Sequence, residues 1–174
     1  MLSSGLTAAI STCTRTFKGN HEAALIEVYR GDQEALSFWR KFGGQATMAG
    51  LGIDESLLAT ASMPLISPKL QTSLHWDIVD WLAELPHSWT LGDYFFVHAG
   101  IKPRVQLSRQ DQYDLLWIRK PIIASKRRHE KVIIHGHTVE PGLPCLGSNR
   151  IGIDTGRMNM AASPLWDLRM TRNG

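Results

Sequence analysis

The sequence predicts an α/β domain, and three observations carry that expectation. Alanine, leucine and tryptophan recur at helical spacing through residues 22–85, and an aromatic hairpin pattern surrounds Gly92-Asp93. Short apolar runs then end in polar motifs at His98 and at His135-Gly136-His137. Strand ends are where an α/β protein commonly gathers its chemistry.

Taken in order, residues 15–18 read as the end of a short strand that Gly19 breaks. Residues 22–30 have helical spacing, which places Asn20 and His21 at a strand-to-helix turn. A second helix is expected over 32–42, closed by Gly43-Gly44. A longer one is expected over 70–85, bringing Trp76 and Trp81 near the core and stopping before Pro86. Residues 88–91 and 94–97 flank the two-residue turn Gly92-Asp93, so they predict a β-hairpin that delivers the chain to His98. Residues 131–134 and 150–154 supply two more strands, the latter before Thr155-Gly156, whereas 157–174 lack the alternation of a closing strand.

The chain has 174 residues, 43% hydrophobic and 20% charged, enough apolar material for a core. No repeat or linker divides it, so residues 1–174 are expected to form one domain. A net charge of +3 gives only a slight preference for anionic ligands. The one dense basic run, Lys126-Arg127-Arg128-His129, is short and reads as a solvated turn, so neither nucleic acid nor membrane is expected as a partner. Cys13 and Cys145 match neither a disulfide framework nor a cysteine zinc site. Residues 1–10 are too short an apolar run for a signal or a span, and a soluble, cytoplasmic protein is expected.

Imidazole nitrogen and amide oxygen are ligands for a divalent cation, and they recur here in three contexts. These are Gly19-Asn20-His21-Glu22, Phe96-Val97-His98-Ala99-Gly100-Ile101 and Ile134-His135-Gly136-His137-Thr138. A lone histidine is ordinarily a surface or hydrogen-bonded core residue, and His75, His87 and His129 keep that reading. A specified tetrapeptide arises by chance in about one chain in a thousand of this length, so three ordered motifs argue for a constellation.

With these motifs the sequence resembles the calcineurin-like metallophosphoesterases, and within them the bacterial and phage serine/threonine phosphatases. The resemblance implies two packed β-sheets flanked by helices, with metals at the loops beyond the strand ends. It implies Asn20, His98 and His137 as metal ligands, His21 as general acid, and two divalent ions of manganese, iron or zinc. Asp114-Leu115-Leu116-Trp117-Ile118-Arg119 is similar to a family segment whose arginine holds phosphate oxygens. Arg119 is thus a phosphate-binding candidate, its planar fork suited to two oxygens at once; a surface arginine beside a buried Trp117 is the level alternative.

The reaction so implied is attack by a metal-activated hydroxide, the two ions about 3.5–4 Å apart, on a phosphoserine or phosphothreonine ester. The family's first-metal motifs precede the asparagine motif, and residues 1–19 contain no aspartate, glutamate or histidine. The expectation is therefore an N-terminally truncated site with ligands for one metal only, and impaired turnover. Dinucleoside polyphosphate hydrolysis and a non-catalytic metal- or phosphate-binding remnant are the alternatives. The expected partner is a phosphorylated protein or a small phosphoester.

Overall fold

The structure, a computed structural model, describes residues 15–54, 56–140, 145–147, 149–154 and 156. Cys13, Thr155 and the 157–174 segment lie outside those residues. The chain divides into two compact units, Met1–Pro86 and His87–Gly174.

The first unit is helical. Residues 15–18, expected to end a strand, have no regular structure, and α1 begins earlier than expected, at Asn20–Tyr29. Glu22 is the reason for the early start: its carboxylate accepts the Gly19 N–H at 2.9 Å and satisfies a donor that the helix leaves orphaned. Helix α2, Gln33–Lys41, starts where Asp32 Oδ1 accepts the Ala35 N–H at 2.8 Å. Gly43 then reverses the chain in the left-handed region, φ 96°, into α3, Gly44–Gly50. Helix α4 spans Ser56–Thr60.

One helix was expected over 70–85; the structure has two, α5 at Met63–Ser73 and α6 at Trp76–Glu84. Leu74 and His75 take extended dihedrals and separate them. Helix α6 turns Val79 inward and leaves Trp76 and Trp81 61% and 54% exposed, so the expectation that both tryptophans approach the core is corrected. The core is built instead from Val28, Leu36, Trp39, Met48, Leu58, Ile66 and Leu70, all fully buried.

The second unit carries one five-stranded sheet, ordered β1-β2-β3-β5-β4. Strands β1 (Ser88–Leu91) and β2 (Tyr94–Val97) form the expected antiparallel hairpin, with Leu91 opposite Tyr94 and Ser88 opposite Val97. The 3₁₀ turn Leu107–Arg109, α7 (Gln112–Trp117) and α8 (Lys120–Ala124) lead to β3 (Val132–His135), which runs parallel to β2. Strand β5 (Arg150–Gly152) is parallel to β3, and β4 (Cys145–Leu146) pairs antiparallel with β5. Val97, Ala99, Ile101, Ile122 and Ile133 form the core between the sheet and these short helices. The fold is therefore mixed α/β; where the resemblance implies two packed sheets, the described residues contain one.

Candidate functional site

Parallel strands that neighbour one another finish at the same edge of a sheet, and Val97 lies opposite His135 in the β2–β3 register. His98 and His137 follow those two strand ends and meet there. Their rings are hydrogen-bonded, His98 Nε2 to His137 Nδ1 at 3.1 Å, and the Gly136 N–H donates to the His98 carbonyl at 2.9 Å. Trp117, at the end of α7, sets its ring edge-on to His137, the planes crossing at 86°. Arg119, at the entry to α8, donates from Nη1 to the His137 carbonyl at 3.0 Å and is otherwise exposed. The structure thus brings together His98, His137 and Arg119 from three loops.

His137 holds a left-handed backbone, φ 62°. For a residue with a Cβ this costs roughly 1–2 kcal/mol, and such residues persist where surrounding contacts over-determine them. Here those contacts are His98, the Trp117 ring and the Arg119 guanidinium.

Asn20 and His21 belong to the first unit. Asn20 is buried in the first turn of α1, and His21 packs beside Gly43, where an added Cβ would stand 3.1 Å from His21 Cε1. The Gly-Asn-His-Glu tetrapeptide has a local structural account: an extended glycine entering a helix, a buried amide, an imidazole against a glycine turn, and a capping glutamate.

His135 closes β3, with Gly136 between it and His137, and its ring meets a different set of groups. Its ring is buried, 1% exposed, and Nδ1 donates to the Gly136 carbonyl at 3.1 Å while Nε2 accepts from Arg150 Nη1 at 3.2 Å. An arginine only donates and a carbonyl only accepts, so the two contacts fix the neutral Nδ1–H tautomer. Burial pushes the His135 pKa down, the Gly136 carbonyl opposes this, and the Arg150 charge adds to the lowering.

Arg150 in turn grips Glu140 with two parallel bonds, Nη1 to Oε2 at 3.0 Å and Nη2 to Oε1 at 2.9 Å. The side chains are 8% and 22% exposed. Those bonds hold the Glu140 carboxyl below its ordinary range against the opposing effect of burial. Gly152 makes room for the pair, since any Cβ there would run into the Glu140 carboxylate. No feature of the sequence pointed to this network: its members are a histidine to which the resemblance gives no role, a strand arginine, and a glutamate ten residues before it.

The metal reading does not survive this geometry. Among the described residues no group of three or more histidine, cysteine, aspartate or glutamate side chains comes together to hold a metal ion. His98 and His137 spend ring nitrogens on each other, His135 spends both of its own on Arg150 and Gly136, and Asp154 Oδ1 accepts the Gly156 N–H at 3.0 Å. This finding overturns the identification as a calcineurin-like metallophosphoesterase and the retained one-metal site. The two-metal cofactor set, the metal-dependent serine/threonine phosphatase activity with its manganese requirement, and the hydrolytic alternative fall with it.

No helix among the described residues is long and apolar enough to cross a membrane. No protein-family model, curated protein or solved structure matches this chain.

Proposed function

We propose that the second unit binds a phosphorylated ligand, a phosphorylated protein segment or a small phosphoester, and that Arg119 engages its phosphoryl oxygens. The observation that carries this reading is the single side-chain tether on Arg119 among the described residues. One Nη1–H goes to the His137 carbonyl and steadies the guanidinium, and the side chain remains exposed. A steadied planar fork with donors to spare is suited to two phosphoryl oxygens, and it keeps its charge at every accessible pH. The His98–His137 pair and the edge of Trp117 supply polar and aromatic surface beside it. No bond making is assigned to the site.

The test is calorimetric titration with a phosphoserine peptide and its unphosphorylated counterpart. Preference for the phosphorylated peptide is expected, with a loss of about tenfold or more in Arg119→Gln, the worth of one charge-assisted hydrogen bond. Equal affinity for the two peptides, or an unchanged affinity in the variant, refutes the reading.

A further inference from the structure

The basic run at residues 126–129 reads as a solvated turn in the sequence, and folding gives it a partner from another loop. A cavity of about 190 Å³ in the second unit is lined by Arg127 and Arg128 together with Arg104. Glu130 is the one carboxylate among its lining residues, against three arginines, and all four are exposed at its rim. Among the described residues none of the three arginine side chains makes an ion pair or a hydrogen bond. Like charges gathered without counter-ions repel one another, and a bound anion relieves that repulsion.

Two features show that the arrangement is built rather than loose. Asn149 is buried and donates from Nδ2 to the Ser125 carbonyl at 3.0 Å and to the Arg127 carbonyl at 2.6 Å, which pins the loop carrying Arg127 and Arg128. Arg104 holds a left-handed backbone, φ 71°, a conformation that a residue with a Cβ adopts only under constraint. His129 also lines the cavity; burial and then the Arg127 charge lower its pKa, so it offers a neutral hydrogen-bonding ring. Ile101 and Leu107 give the wall an apolar part. The volume is below the ~300 Å³ at which clefts for drug-sized ligands begin, so only a compact headgroup fits inside.

We infer that this cavity is a binding site for the phosphoryl headgroup of a small phosphorylated molecule, separate from the Arg119 site, with Arg104, Arg127 and Arg128 as its oxygen-binding groups. Planar forks arriving from two loops match a group that presents oxygens in several directions, and Ile101 and Leu107 stand beside its less polar remainder.

Inorganic pyrophosphate is the probe, titrated into the ¹⁵N-labelled full chain at constant ionic strength. Saturable shifts are expected at residues 104–107 and 127–130 and at the Asn149 side-chain amide. Arg104→Gln with Arg128→Gln should weaken binding at least ~10-fold, while Arg119→Gln leaves these shifts in place. Because the last variant disables only the other proposed site, the two readings fail separately. Absence of saturation at millimolar pyrophosphate, equal shifts with chloride, or undiminished binding in a double variant that retains the wild-type amide spectrum overturns the inference.

Discussion

Replacing Glu140 by Gln tests whether the buried arginine network holds the second unit together. The substitution keeps the shape of the side chain and removes the charge that two Arg150 bonds, 2.9 and 3.0 Å long, converge on. One of those bonds would also face an amide N–H instead of an acceptor, because the carboxamide offers a single oxygen. Disrupting a buried pair from one side costs about 3–5 kcal/mol, and the 22% exposure of the Glu140 side chain lets water soften the loss toward the lower figure. With a urea dependence of about 2 kcal/mol/M, a 3 kcal/mol loss lowers the unfolding midpoint by about 1.5 M. Circular dichroism across a urea gradient reads this directly. Gly152→Ala should produce a similar drop by displacing the same carboxylate, and the double variant should lose less than the sum of the two. A midpoint shift below about 0.3 M in Glu140→Gln, or additive losses in the double variant, would show that Arg150 is adequately hydrated without its partner.

Three other outcomes follow from the same geometry. His135 has a folded pKa below its ordinary 6.5, so below that pH the unfolded chain takes up protons that the folded one refuses, and stability falls as the solution is acidified. His129 is lowered in the same sense, so a chain carrying His135→Gln and His129→Asn should lose most of the slope between pH 6.5 and 4.5, seen in thermal unfolding at several pH values. Glu140, held below its ordinary 4.5, contributes stability that is lost only as pH falls beneath that value, and Glu140→Gln should flatten this acid limb alone. In the first unit, Leu70→Ala should cost about 2–5 kcal/mol because Leu70 is fully buried, whereas Trp81→Ala should stay within about 0.5 kcal/mol in the same urea assay.

The hairpin was legible because its information is local: Gly92-Asp93 supplies the turn, and the aromatic-rich run Tyr94–Val97, buried at alternate residues, supplies the second strand. Helix α2 was legible for a similar reason, bounded by a capping aspartate and a left-handed glycine. The break between α5 and α6 was not, since the apolar spacing continues across Leu74 and His75 while the backbone does not. Trp76 and Trp81 show that apolar character is weaker evidence of burial than it looks; a helix face can be rich in tryptophan and still meet solvent.

At the candidate site, the convergence of His98 and His137 followed from their places at strand ends. What surrounds them did not, because a coordination shell depends on groups that fold from distant positions. In the Gly-Asn-His-Glu motif, the Glu22 carboxylate caps α1 and the His21 imidazole lies beside Gly43, a partner twenty-two residues away that the tetrapeptide does not reveal. The Arg150–Glu140 pair left no trace in the sequence, since a buried ion pair looks like two surface charges until the fold encloses it.

The left-handed backbone of His137 gives that position an unusual relation to chirality. A mirror-image residue finds φ near +60° comfortable for the same steric reason that an L-residue resists it. A chain assembled by chemical ligation with D-alanine at 137 should therefore be more stable than its L-alanine twin by roughly 1–2 kcal/mol, although the two have the same atoms and both lack the imidazole. At this position, handedness can be varied while composition stays fixed, which separates the strain of the loop from the contacts of its side chain.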